Sequence, residues 1–397
     1  MLADTSAAQL AYIEETVLGT TPGSGTEMYL RMTGESLAYD IQTESSKEIN
    51  STGQVSDFVH VGASAQGGIN LELSYREYDN FLEALLRSTF VTGITGATDG
   101  RKNLTLSFDS VAGTITDDGV NGIAGTAVGQ WFSVIGGANA GVYRIGSRTD
   151  DQITVDTDTP LVSTAAGVAC ALASSRLAIG TAARRAFSIE KQFTDVDQYF
   201  VFAGMTPSKL ELNFETGAFV TGSFSFMGMS SVRSGATQLP NGAPTASQTF
   251  GIMNAVTGTG NLFVDGNTTA LAGTYVKSTK LSVDQKLRGR TGIGTMGFVD
   301  VGRGTFDIGG TLEVYLYDGS LYDTAIANTA MSLEWTVKDG DNNGYAFIFP
   351  SIKLGVPTVV AGAMDSDVML SIPWRARAAN TSTDKMMRID RFGVVRQ

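Results

Sequence analysis

Residues 67–90 read GGINLELSYREYDNFLEALLRSTF, and the hydrophobic period changes within them. Ile69, Leu71 and Leu73 alternate with polar residues, the period of a strand with one buried face. From Ser74 the spacing becomes helical: Tyr78, Phe81, Leu82, Leu85 and Leu86 fall at i, i+3, i+4, i+7 and i+8. Ser74 with Glu77 three residues on has the form of a capping box, and Leu73 with Tyr78 the form of a hydrophobic staple. Such a cap is worth about 1 kcal/mol. Burying each of Phe81, Leu82, Leu85 and Leu86 is worth ~1.5–3 kcal/mol. Packing therefore decides the helix, and the cap decides only where it starts.

Around this stretch the texture is β. Gly is abundant at 47, charged residues are only 17%, and Thr, Ser, Val and Phe recur in short runs. A chain of 397 residues is long enough for two or three domains. Its formal charge of −12 is the wrong sign for a protein that neutralises phosphates, so no DNA-binding role is expected. Cys170 is the single cysteine and lies in the apolar run GVACALAS, the setting of a buried, inert thiol. MLADTSAAQL lacks a signal-peptide pattern, and no run has the apolar length to span a membrane. Synthesis and folding in a cytoplasm are expected, which leaves the Asn-x-Ser/Thr sites at Asn50, Asn103, Asn267 and Asn380 without meaning.

The chain also repeats itself. SLAYDIQ at 36 compares with KLSVDQK at 280, an offset of 244 at Leu37 and Leu281. NLELSYREYDNFLEALL at 70 compares with TLEVYLYDGSLYDTAIAN at 311, an offset of 241 at Glu72 and Glu313. Ser188-Ile189-Glu190 answers Ser332-Leu333-Glu334, and Lys209-Leu210 answers Lys353-Leu354, at an offset of 144. The drop from 241 to 144 places about a hundred extra residues in the first copy. They coincide with a stretch rich in Gly, Ala, Thr and Asp, with strand candidates at 104–108, 131–135, 142–145 and 153–155. The predicted division is 1–96 with 176–233 as a first unit, 97–175 as an inserted β domain, 234–247 as a linker and 248–397 as a second unit.

The segment LRMTGESLAYDIQTESSKEINSTGQVSDFVHVGASAQGGINLELSYREYDNFLEALL, residues 30–86, resembles the core of the tail tube proteins (major tail proteins) of long-tailed, non-contractile bacteriophages. AYIEETVLGTTPGSG, RRAFSIEKQFTDVDQYFVFAGM and GTLEVYLYDGSLYDTAIANT extend the resemblance over most of the chain, leaving out the middle. It implies a mainly β protein of two tube-like sandwich or barrel units, each with one flanking helix, beside the inserted domain. It further implies a virion protein that closes into stacked rings and forms the hollow tail tube through which DNA passes without specific binding. Its partners would be copies of itself, a tape measure protein and tail-end proteins, with no cofactor, membrane or enzymatic activity. Two units per chain predict a trimeric, pseudo-sixfold ring in place of a hexamer. A contractile-tail or secretion-system tube, and a cell-surface β protein or carbohydrate-active enzyme, are the other classes weighed.

Asp40, Glu44, Glu48 and Asp57 crowd a predicted long hairpin, opposed only by Lys47. Such charges keep a solvated ribbon from pairing edge to edge, or, as the resemblance implies, line a channel. The matching stretch of the second copy, with Asp284, Lys286, Arg288, Arg290 and Asp300, is of mixed sign. DGDNNG at 339–344 opens like a calcium loop, but its twelfth position is Pro350, so a hairpin turn fits better. His60, the one histidine, sits in an alternating strand pattern and supplies no catalytic or metal constellation. No phosphate-cradling glycine motif occurs.

Overall fold

The computed structural model describes residues 2–94, 96–119, 121–156, 159–240, 244–255, 263–264, 275–317, 319–362, 364–381 and 384–393. The alternating stretch is the end of a 15-residue strand, Phe58–Glu72, and the helical stretch is the helix Asp79–Leu86. Phe81, Leu82, Leu85 and Leu86 are all buried. The capping box does not form. Arg76 takes a left-handed φ of 65°, which breaks the turn begun at Ser74, so the helix starts only at Asp79. Glu77 instead accepts the backbone N–H groups of Arg31 and Gln248, both at 2.8 Å. Its carboxylate ties two passing segments to the helix entry, a use that local spacing does not reveal.

The strand leads into a broad antiparallel sheet. Among the described residues its order is Ala38–Ser45, Phe58–Glu72, Thr221–Gly228, the second half of Gln198–Glu215, Val276–Asp284, Asp307–Tyr315, Val368–Ala376, and then the end of Gly344–Leu354 with Thr358–Ala361. One row of paired residues crosses it as Asn70, Ser223, Glu211, Ser282, Gly309, Arg375 and Lys353. The next row is Leu71, Gly222, Leu212, Leu281, Gly310, Trp374 and Leu354. Alternation along every strand thus gives one polar face and one apolar face. Gly310 is required by the approach of its neighbours: a Cβ there would lie 1.7 Å from the carbonyl oxygen of Lys280 and 3.1 Å from the Trp374 ring.

The strand order recurs in the two halves. Phe58–Glu72, Thr221–Gly228 and Gln198–Glu215 are neighbours in the first, as Asp307–Tyr315, Val368–Ala376 and Gly344–Leu354 are in the second. In each half the last of these strands runs on into a second layer, where it pairs with Phe187–Phe193 or Ala330–Lys338. Ala8–Glu14 is a strand of this layer, held between Phe187–Phe193 and Met28–Leu30, so the N-terminal segment packs on its own chain. The strand register shifts the match expected from the sequence. Glu35 pairs with Ile69 and Leu281 with Gly310, so with Ile69 and Gly310 matched at the offset of 241, Leu281 answers Glu35 and Val283 answers Leu37.

A single apolar core lies between the layers and reaches from Leu10 to Ile389. Phe81 is its hub in the first half, with ring centroids 4.9 Å from Tyr12, 5.0 Å from Phe187 and 5.2 Å from Phe226. Trp335 plays that part in the second, against Phe349 at 5.2 Å and Phe347 at 5.9 Å. Phe214 packs on Trp335 at 5.5 Å, and Tyr75 on Tyr345 at 5.9 Å, so the halves share their core. The second helix, Ser320–Ile326, buries only Leu321 and Ala325.

The segment 234–255 follows the first half. Glu190 accepts Thr237 Oγ1 and the N–H of Gln238, both at 2.7 Å, and Leu239 is buried. Met253 exchanges backbone hydrogen bonds with Leu73 and Val220. The stretch predicted as a linker at 234–247 is packed where described, and residues 248–255 touch both halves, Met253 through Leu73 and Val220 and Asn254 through a bridge to Lys338.

Arg101–Asp109, Thr114–Asp117, Trp131–Ile135, Gly141–Arg148, Gln152–Val155 and Thr164–Ala173 close into a six-stranded barrel with its own core around Leu106, Ile115, Phe132 and Ile145. Cys170 is buried in it, and burial pushes its thiol up. The barrel rests on the second half, where Trp131 packs with Ala346, Ile348 and Phe392. At this seam Arg144 Nε lies 2.7 Å from Glu334. Desolvation outweighs that pairing, and with Asp390 adding repulsion it pushes Glu334 up to about 7. A raised carboxyl binds more protons in the folded state, so its contribution to stability is present below 4.5 and is lost as pH rises toward 7. The slope of the unfolding midpoint over that window should flatten in Glu334→Gln; an unchanged slope would refute the assignment.

Candidate functional site

Past the sheet, Ala38–Ser45 and the start of Phe58–Glu72 continue as a two-stranded ribbon exposed on both faces. Asp40 stands at its base, 3.4 Å from Gln66 Nε2 on the polar face. Glu44 lies opposite Val59, and Glu48 accepts Ser56 Oγ at 3.0 Å. Asp57 accepts the N–H of Phe58 at 2.8 Å through its carboxylate. Glu44, Glu48 and Asp57 share one concavity with Lys47 at the tip, and Asp40 is not part of it. The ribbon also exposes Phe58, Val59 and Val61, and His60 faces Thr43.

A second ribbon, Arg288–Arg290 paired with Asp300–Gly302, leans on the base of the first. Ala63 donates its N–H to the carbonyl of Met296 at 2.7 Å. Arg184 and Arg290 both reach Asp300 at 2.7 Å, and Arg184 holds that carboxyl below its ordinary range. Arg87, left-handed at the end of the first helix, donates to Gln285 Oε1 at 3.1 Å and the Gly304 carbonyl at 3.0 Å. The helix end is thereby anchored to the second ribbon across the junction of the halves.

Between the ribbons and the far edge lies the polar sheet face, which the alternation of a single strand does not reveal. Glu211, Glu215, Asp284, Asp307 and Glu313 occupy its rows with Lys209, Lys280, Lys353 and Arg375. Acids outnumber bases there, the more so with Asp40 at the base of the ribbon, and some are paired, as Lys286 with Asp307 at 2.9 Å. The period-2 alternation of KLELNFE and KSTKLSVD carried the signal, but a solvated face and a functional one have the same alternation.

The other candidates resolve into turns and packing. In 339–344 the left-handed residue is Asn342, at φ 63°, and Asp339 accepts the N–H groups of Asp341 and Asn343 at 2.8 and 2.9 Å. Among the described residues no cluster of three His, Cys, Asp or Glu is placed to hold a metal, and no helix is long and apolar enough to cross a membrane. The chain matches the family model for phage tail tube proteins over residues 5–376 and belongs to that family. It is a structural component of the phage tail and not an enzyme. Comparison with curated proteins gives no match.

Proposed function

We propose that the chain assembles into stacked rings that form the hollow tail tube, and that phage DNA passes through the bore without being bound. The observation that carries this is the sheet itself, which among the described residues runs from one edge strand, Ala38–Ser45, to another, Thr358–Ala361, with one polar face. Its register is staggered: the row through Asn70 reaches Gly309, whereas the 241 offset matches Asn70 with Thr311. Closing a sheet into a barrel requires such a stagger, and closure removes the free edges that otherwise invite aggregation. The recurring strand order supports two tube units per chain, hence three chains per ring with a pseudo-sixfold outline in place of six.

In this arrangement the polar face lines the bore, with Asp40, Glu44, Glu48 and Asp57 carried on the ribbons. Its excess of acids keeps a duplex from adhering to the wall. The barrel formed by 101–173 stands outside the ring, and tape measure and tail-end proteins meet the tube at its interior and ends. Cryo-electron microscopy of the purified protein tests all of this. Stacked rings of three chains with Glu211 and Lys280 facing the bore are expected. Monomers alone, six chains per ring, or the apolar core row turned to the bore would each refute the corresponding part.

A further inference from the structure

The crease between the end of the first helix and the second ribbon gathers more positive charge than it neutralises. Three guanidiniums from different parts of the chain are anchored to the backbone of one short stretch, 301–304. Arg184 donates to the carbonyl of Val301, Arg288 to that of Arg303 at 3.1 Å, and Arg87 to that of Gly304 at 3.0 Å. Arg303 itself belongs to the stretch, and its guanidinium meets no acceptor among the described residues. The carboxylate that enters the crease is Asp300, and it is shared by Arg184 and Arg290. Lys286 and Asp307, nearby, are paired with each other. The excess is local: Arg185, next in sequence to Arg184, is matched by Glu14 and Glu83.

Like charges held together in a partly buried place repel, and losing water leaves the repulsion poorly screened. Burial, and then the charge of a neighbouring arginine, pulls two of them below the ordinary arginine range: Arg303 acts on Arg87, and Arg184 on Arg303. Their placement does not depend on an anion. Arg87 is left-handed at the helix end, lies over the Phe306 ring at 4.4 Å from its centroid, and donates Nε to Gln285 at 3.1 Å. A guanidinium presents a planar fork of N–H groups that suits an oxyanion. We propose that Arg87, Arg184 and Arg303 form a binding site for a small oxyanion of the phosphate class. A long polyanion is disfavoured, because the chain carries −12 and the first ribbon alongside bears Glu44, Glu48 and Asp57. A small anion meets only the local excess. Bound there, it joins the helix end of the first half to the second ribbon and stabilises their junction. The site is complete in one chain and does not depend on ring assembly.

The test follows thermal unfolding of the full, unassembled chain in sodium phosphate and in sodium chloride at equal ionic strength. Phosphate also stabilises proteins by exclusion from their surfaces, which grows with concentration without saturating. A bound anion adds a component that saturates. The midpoint should therefore rise by a few degrees and level off in phosphate. Arg303→Gln should lose the saturating part, yet be at least as stable as the parent in chloride, because a repelling charge is gone. Arg148→Gln, on the exposed surface of the barrel, should keep it. No saturating rise in the parent, or the same rise in Arg303→Gln, would overturn the site and leave an adventitious ion only. Should Arg303→Gln fail to fold, hydrogen exchange of the parent decides: amides at 301–304 should slow in phosphate relative to chloride, and equal rates refute the proposal. Loss of tubes in Arg303→Gln, with no phosphate response in the parent, would assign the cluster to a carboxylate of another copy and overturn the small-anion site.

Discussion

Phe81→Ala should lower the free energy of unfolding by ~3–5 kcal/mol, the usual cost of deleting a buried ring. Phe81 is 1% exposed and touches rings from three other elements: Tyr12, Phe187, and the pair Phe224 and Phe226. These come from both layers, so the cavity is walled by strands whose own pairing holds them in place and cannot collapse. Native domains are stable by only ~5–15 kcal/mol, so the loss takes a large share of the total. Urea titration at fixed pH reads it directly. Phe81→Leu keeps most of the apolar volume and should cost less than half as much. An alanine variant within 1 kcal/mol of the parent would show that the helix is not what joins the layers.

Asp390→Ala should be about as damaging, ~3–5 kcal/mol, through electrostatics in place of volume. Asp390 is fully buried and accepts Arg176 Nε at 2.6 Å, Arg176 Nη2 at 2.7 Å and the N–H of Trp131 at 2.8 Å. Removing the carboxylate leaves the buried Arg176 guanidinium without its counter-charge, with only the Gly129 carbonyl still accepting from it at 2.9 Å, and takes away the acceptor of the Trp131 N–H. These groups lie in the seam that joins the barrel to the strands Ser175–Ala178 and Arg388–Phe392. Hydrogen exchange should therefore quicken at 131–135 and 388–392, while the barrel's separate core around Ile115 and Ile145 keeps its protection. Combining Arg176→Met with Asp390→Leu should recover part of the loss, because replacing both ions removes the unpaired charge. Unchanged exchange across the seam in Asp390→Ala would contradict the assignment.

What the sequence determined by itself was local. Ile69, Leu71 and Leu73 specify a strand, and Phe81, Leu82, Leu85 and Leu86 a helix face, because side-chain direction follows directly from a period of 2 or 3.6. The same logic located Trp131–Ile135 with both its ends. Family membership was legible in the order of several such blocks. The tertiary structure decided what depends on distant partners. Ser74 and Glu77 have the spacing of a capping box, yet Glu77 is claimed by backbone groups at 31 and 248. Segment 248–255 is bonded to both halves, through Met253 with Leu73 and Asn254 with Lys338. Asp390 finds Arg176, and Leu212 finds Leu281, across separations that no local period encodes. The acidic ribbon was visible from its composition, but the polar face that runs the width of the sheet was not. Alternation tells which residues share a face of one strand, and only strand pairing tells which strands share a sheet.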